Sequence, residues 1–233
     1  MQKLLGLTAA AFILASCGNS GNANVTTKAA QNVTSAAQEK TANSSTNYST
    51  ASFDGAKLDA ILDARPDAVK ARYDARHPAE TLEFFGITPG MSIGEALPGG
   101  GWYTKILAPY LGENGKIVGI DYNLEMWPEF SFATEQFIET KKTWPETFVA
   151  ESAEWLPADG PKIGATTFGS PAGDMAGSLD AILFIRALHN LSRFETEGDY
   201  LTKALSHSRE LLKEDGIIGV VQHRAPELSL IHI

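Results

Sequence analysis

Cysteine is almost absent from this chain: the single thiol, Cys17, cannot close an internal disulfide, and no cluster of Cys and His has zinc-finger spacing. Disulfide scaffolds and structural zinc are excluded, and no metal site emerges from the scattered histidines. Basic residues are also scarce. Against 28 acidic side chains stand 19 Lys and Arg, a formal charge of −9, so the chain as a whole repels a phosphate backbone. Nucleic acid is not the expected partner. What remains, 233 residues with 43% hydrophobic content, allows one medium domain plus some extra sequence.

The first stretch reads as an address. Lys3 precedes the apolar run from Leu4 to Leu14, the charged-then-greasy order of a secretory signal, and the run is too short to span a membrane and stay. It ends in Leu14-Ala15-Ser16-Cys17, which resembles the bacterial lipoprotein box, where cleavage precedes an acylated cysteine. Residues 1–16 are then a lipoprotein signal peptide, and Cys17 is the lipidation site that ties the protein to a membrane. Gly18, in place of an aspartate, points to the periplasmic side of the outer membrane. A plain signal peptide with an accidental cysteine is the alternative. Losing Lys3 with the signal takes the formal charge from −9 to −10. Residues 17–52, rich in Asn, Ser, Thr, Ala and Gly, cannot bury enough surface to offset their ordering entropy and read as a disordered tether. The domain is 53–233.

Within it, helix and strand patterns alternate. Ala56 to Ala75 is helical with a break at Pro66, and His77-Pro78 opens a second helix, Ala79 to Phe85. Met91 to Leu97 and Lys116 to Asp121 read as buried strands flanking a helix, Trp102 to Leu111. Thr147 to Glu151 reads as a weaker strand, and Leu179 to Ile185 as a strong one, continuous in apolar residues like a central parallel strand. A helix through Tyr200 to Leu212 and a strand from Gly216 to Val221 follow, while Pro157 to Gly177 reads as an irregular insertion, a lid or loose loop. The expected fold is α/β, a parallel sheet with helices on both faces.

The chemistry concentrates where the first strand ends. Ile93-Gly94-Glu95-Ala96-Leu97-Pro98-Gly99-Gly100-Gly101-Trp102-Tyr103-Thr104 runs from a buried strand through three glycines into a helix. Such strand ends bind ligands in open α/β sheets, and glycines let the backbone approach a ligand closely. A tight strand-to-helix connection would use the same residues. Asp121, however, closes the second strand twenty residues beyond Gly101, the spacing of an acid that accepts ribose hydroxyls. Of two nucleoside cofactors, NAD wants a third Gly or Ala where Thr104 stands, and Glu95 suits a ligand with an α-amino group and a sulfonium.

On these residues the sequence resembles a class I S-adenosylmethionine-dependent methyltransferase, and more narrowly the predicted methyltransferases whose first motif reads Pro-Gly-Gly-Gly-Trp-Tyr-Thr. The resemblance spans about Arg72 to Pro226 and includes Arg76-His77-Pro78-Ala79-Glu80-Thr81-Leu82, Gly119-Ile120-Asp121, Leu188-His189-Asn190 and Gly219-Val220-Val221-Gln222-His223-Arg224. It implies a Rossmann-like sheet, S-adenosylmethionine as cofactor and methyl transfer to a small-molecule substrate. Glu95, Gly99 and Gly101 would then hold the methionine part, with Gly100 and Tyr103 also cofactor-binding, Asp121 the ribose, and Glu151-Ser152, at the third strand end, the adenine side. His189 would act as a base on the substrate, or else cap the following helix with Asn190. Trp102 and Arg186 are pocket-lining candidates; His77 is a helix cap, and His207 falls on a solvent-facing helix surface.

The sequence departs from that family's pattern in two places. Leu97 stands where the first glycine is expected, which predicts a wider turn. The chain ends soon after the fifth strand, which predicts that two further strands are missing and the sheet edge is uncovered. A non-catalytic nucleoside- or metabolite-binding lipoprotein of the same fold is the competing expectation, because S-adenosylmethionine is made in the cytoplasm while the signal leads out of it. An NAD-dependent oxidoreductase is a third, disfavoured by Thr104 and Glu95.

Overall fold

A computed structural model of the protein describes residues 52–223; the signal, Cys17, the tether through residue 51 and the chain after residue 223 lie outside the described residues. Five strands form one parallel sheet: β1 (Ser92–Ala96), β2 (Lys116–Asp121), β3 (Lys162–Thr167), β4 (Leu179–Ile185) and β5 (Leu212–Val221), in the order β3-β2-β1-β4-β5. This is the expected α/β, Rossmann-like arrangement. The chain winds outwards from β1 to β3, then returns to the other side of β1 for β4 and β5. The strand order therefore reverses at β1, and the carboxyl ends of β1 and β4 border the crevice where such sheets bind ligands.

Helices cover both faces because the central strands alternate their apolar side chains between two layers. On one face, α1 (Gly55–Asp63), α4 (Pro78–Phe84) and α5 (Thr104–Leu111) bring Leu58, Leu62, Leu82, Ile106, Leu107 and Tyr110 against Ile93, Ile117, Ala181 and Leu183. On the other, α8 (Leu188–Arg193), α9 (Glu195–Gly198) and α10 (Tyr200–Leu211) close the sheet. Leu191, Tyr200, Ala204 and Leu211 meet Val118, Ile120, Ile182 and Phe184 there. Between α1 and α4 lie two single-turn helices, α2 (Asp67–Lys70) and α3 (Tyr73–Arg76), so the long helix expected over Ala56–Ala75 is three short ones. The helix expected from Trp102 starts at Thr104, after the glycine turn has finished.

Two elements differ from expectation. Thr147–Glu151 is not a strand: it lies inside α7 (Trp144–Trp155), which follows α6 (Glu135–Lys142) and carries Pro145 in its first turn. Phe148 and Ser152, four residues apart, are the buried positions of α7, a helical spacing that a five-residue apolar window conceals. The third strand comes instead from the supposed irregular insertion Pro157–Gly177, where Lys162–Thr167 pairs with β2 in the register Ile117↔Ile163. β3 is an outer strand and mostly half-buried, so its Lys-Ile-Gly-Ala-Thr-Thr sequence lacks the apolar continuity of β4. Helix α7 lies close to β2 because Gly119 has no side chain; a Cβ there would fall 2.6 Å from the Phe148 ring.

His207 is likewise not solvent-exposed. Tyr200, Ala204, His207, Ser208 and Leu211 form the buried face of α10, and His207 Nδ1 accepts the Gly169 N–H at 3.3 Å beside the Phe168 ring. Among the described residues β5 is an outer strand, on which Ile217, Ile218 and Val220 are exposed.

Candidate functional site

The site begins with an acid that the fold has removed from water. Glu95 is 4% exposed near the carboxyl end of β1, paired in register with Gly119 on one side and Leu183 on the other. Among the described residues its carboxylate has one hydrogen-bond partner, Thr104 Oγ1 at the first residue of α5, which donates to Oε2 at 2.7 Å. Desolvation by burial raises the carboxyl pKa to about 7, against the smaller opposing effect of the Thr104 bond. Burial thus makes the charged form costly, and a cation beside it would favour that form.

After Ala96 the chain turns out of the sheet. Leu97 still donates its N–H to the Ile120 carbonyl at 2.8 Å, but with φ +55°, the left-handed conformation that costs a leucine and is free for glycine. A leucine side chain thus sits on a backbone conformation that suits glycine. Gly99 and Gly101 are also left-handed, and the Gly101 N–H closes the turn on the Pro98 carbonyl at 2.9 Å. A Cβ on Gly99 or Gly100 would meet nothing within 4 Å, so these two glycines open onto free space. Gly101 differs: a Cβ there would fall 2.4 Å from the Trp155 ring, so its smallness serves packing.

Glu95, Leu97, Gly99, Gly100, Trp102 and Tyr103 line one cleft of about 490 Å³. Tyr103 is anchored by donating its hydroxyl to the Arg76 carbonyl at 3.1 Å, and burial raises its pKa. Trp102 Nε1 is buried without a hydrogen-bond partner. The same lining is also basic: Arg65, Arg72, Arg76 and Arg186, with Lys105 just after the glycine turn. Arg186 follows β4 in a left-handed conformation, φ +62°, and belongs to the cleft lining. Arg65 and Arg72 were not singled out from the sequence; their signal is the arginine spacing of seven and four residues, 65, 72 and 76, just ahead of β1.

Asp121 closes β2, the neighbour of β1, but its side chain does not reach the cleft lining. Oδ1 accepts the Tyr122 N–H at 2.9 Å, and Oδ2 pairs with Lys141 Nζ of α6 at 3.0 Å. Burial pushes the Asp121 carboxyl above the usual carboxylate value, and Lys141 pulls the other way. Lys141 also lies over the Trp127 ring, 4.2 Å from its centroid. The next residue, Tyr122, accepts a 3.0 Å hydrogen bond from Asn190 Nδ2, and burial pushes its phenol up to about 12.

Other expected positions fall elsewhere. Glu151 and Ser152 do not sit at a strand end. Both are mid-helix in α7, Glu151 exposed and Ser152 fully buried with an unpartnered Oγ. His189 is exposed in α8 and does not line the cleft, nor does Gly101. His77 does precede α4, in a left-handed conformation, but its side chain makes no capping bond and stands 3.6 Å from Glu80. The structure therefore brings together Glu95, Gly99, Gly100, Tyr103, Trp102 and Arg186, with Asp121 close by on the adjoining strand.

No family model matches the chain, and no curated protein matches it. Among solved structures it is similar to an S-adenosylmethionine-dependent methyltransferase from Aquifex aeolicus, with 18% identity over 75% of this chain and 78% of that one at a TM-score of 0.43. It is similar to the YcgJ protein of Bacillus subtilis, at 19% identity over 64% of this chain, with a TM-score of 0.39. A third is an arsenic(III) S-adenosylmethionine methyltransferase from Chlamydomonas reinhardtii, at 17% identity over 75% of this chain, with a TM-score of 0.38. The chain spans 51% and 52% of the lengths of these last two. At this level of likeness the chemistry of the site has to come from its own residues.

Proposed function

We propose that the chain is an S-adenosylmethionine-dependent methyltransferase acting on a small-molecule acceptor. The observation that carries this reading is Glu95: a carboxylate at the end of β1, buried, held by Thr104 alone, and bordering a cleft under two glycines that leave room for a ligand. An α-ammonium placed there would pair with it and stabilise its charged form. Bound there, the cofactor supplies an already activated methyl group on a sulfonium, so the protein needs chiefly to align an acceptor and exclude water. Gly99 and Gly100 allow the close approach, and Tyr103, locked on the Arg76 carbonyl, gives a rigid wall. The ribose end fits only after a rearrangement: Asp121 becomes free to accept two hydroxyls when Lys141 turns away.

Calorimetric titration of the full chain with S-adenosylhomocysteine tests this. Binding is expected, lost in Asp121→Ala and weakened in Glu95→Gln. No binding of either S-adenosylhomocysteine or S-adenosylmethionine would leave the second reading, a non-catalytic metabolite-binding domain, which the Lys141–Asp121 pair favours because it occupies the acid. Either activity is proposed on a lipid anchor at Cys17, facing the periplasm from the outer membrane. Palmitate labelling that vanishes in Cys17→Ser supports the anchor, and labelling that persists overturns it.

A further inference from the structure

A chain of net charge −9 concentrates four arginines in the lining of a single cleft. They come from four different places in the fold. Arg65 follows α1, Arg72 joins α2 to α3, Arg76 ends α3, and Arg186 follows β4. None of the four forms an ion pair among the described residues, where the pairs involve Lys70, His77, Lys141, Lys142 and Lys213. The Nε atoms of Arg65 and Arg76 are buried with no hydrogen-bond partner. Arg76 lies over the Trp102 ring, its Cζ 4.5 Å from the centroid. Burial first, and then the neighbouring Arg72 and Arg186, hold the Arg76 guanidinium below the usual arginine value.

Arg72 and Arg186 reach solvent, but gathered like charges repel one another, and the buried donors of Arg65 and Arg76, without partners among the described residues, cost free energy. Such an arrangement persists where something else supplies the acceptors. The one carboxylate of the lining, Glu95, is spent on Thr104 at the opposite end of the turn. The cofactor of the methyl-transfer reading is itself a net cation, and its single carboxylate is too few acceptors for four guanidinium groups. Arginine forks are matched in geometry by carboxylate and phosphate groups, which accept two parallel N–H donors.

From this we infer that the methyl acceptor is a small anion, bearing a carboxylate or phosphate group that is held by Arg65, Arg72, Arg76 and Arg186. The inference rests on the methyl-transfer reading. In the step itself, the acceptor's nucleophilic atom uses a lone pair to form the new bond to the methyl carbon. The carbon–sulfur bond breaks with its electron pair passing to sulfur, and any proton on the nucleophile leaves to solvent through the open mouth of the cleft. A carboxylate oxygen acting as the nucleophile would have no proton to lose, which suits a lining that holds no histidine.

The test is calorimetric titration of the full chain, saturated with S-adenosylhomocysteine, using malonate in one arm and inorganic phosphate in the other. Binding of one of them is expected, and the arm that binds tells a carboxylate acceptor from a phosphate one. Arg76→Gln and Arg186→Gln should each weaken it by about tenfold, the size of one lost charge-assisted pair, with Arg76→Lys falling between. Affinity for S-adenosylhomocysteine is measured separately for each variant, so that anion binding is compared at equal saturation with the nucleoside. Far-UV circular dichroism checks that the variants fold. No anion binding above a chloride control, or equal binding in the glutamine variants, overturns the inference. Competition between the anion and S-adenosylhomocysteine also overturns it, since the arginines would then seat the cofactor's own carboxylate. Arginine-dependent anion binding in a protein that does not take S-adenosylhomocysteine at all instead removes the methyl-transfer reading, and the acceptor role with it.

Discussion

Lys141 Nζ stands 3.0 Å from Asp121 Oδ2, and both side chains are largely withdrawn from solvent, so the acid that ends β2 is held by an ion pair reaching from α6. Under the proposed function this pair and a bound ribose compete for the same oxygens. Lys141→Met leaves a nearly buried carboxylate unpaired, which should lower stability by about 3 kcal/mol. The same change frees Asp121, so S-adenosylhomocysteine should bind about tenfold more tightly than to the parent, because the cost of displacing Lys141 is gone. Thermal unfolding with and without the nucleoside reads both effects. A destabilised variant whose affinity is unchanged would mean that Asp121 does not receive the ligand.

Glu95 makes the pH dependence of folding a direct readout of the site. Its carboxyl pKa rises from 4.5 to about 7, so between those values the native protein keeps a proton that the unfolded chain has released. Stability therefore falls as pH rises through this window, by on the order of 3 kcal/mol in total. Glu95→Gln should flatten that part of the curve in urea unfolding. Binding of a ligand ammonium needs the charged form, so S-adenosylhomocysteine affinity should increase as pH rises through about 7 in the parent and stay level in Glu95→Gln. An affinity that is independent of pH in both proteins would place the ammonium elsewhere.

Leu97 should invert an ordinary ranking. Leucine to alanine is normally kinder to a fold than leucine to glycine, because glycine adds freedom to the unfolded chain. Here φ is +55°, so alanine would lose the packing against the core while retaining the backbone strain, whereas glycine relieves it. Leu97→Gly is expected to be more stable than Leu97→Ala by about 1 kcal/mol in denaturant unfolding. The opposite order would show that the turn relaxes around a side chain.

The parts of this fold that were readable in the sequence are those whose burial is complete. β2 and β4 run through the middle of the molecule, and their apolar stretches, Lys116–Asp121 and Leu179–Ile185, matched the observed strands residue for residue. β3 sits at an edge, half in water, and its composition looked like a loop. Thr147–Glu151 failed for the converse reason: Phe148 and Val149 are adjacent, but only Phe148 is buried, and a five-residue window cannot separate a period of two from one of 3.6. At the site, Glu95 and the glycines were legible because they are contiguous along the chain. The arginine wall was not, since Arg65, Arg72 and Arg76 converge only after Pro66 and the turn at Arg72 break one helix into three. The position of Lys141 over Asp121 likewise depends on where α6 lands.

His207 supplies the counterweight to Glu95. Its Nδ1 accepts the Gly169 N–H at 3.3 Å, its Nε2 is buried without a partner, and burial lowers its pKa below the usual histidine value. As pH falls through about 6.5, the unfolded chain takes up a proton that the native imidazole resists, so this residue removes stability on the acid side. Glu95 tilts the curve the other way over the same range, and the two effects partly cancel in the parent protein. Difference curves separate them. His207→Leu should cost about 1 kcal/mol near neutral pH, for the lost acceptor of the Gly169 N–H. Its disadvantage should then shrink as pH drops from about 7 to about 5, while the Glu95→Gln curve diverges from the parent in the opposite sense. Urea unfolding of the three proteins across that range decides the matter, and a His207→Leu penalty that stays constant with pH would mean that the imidazole takes up its proton equally in the native and unfolded states.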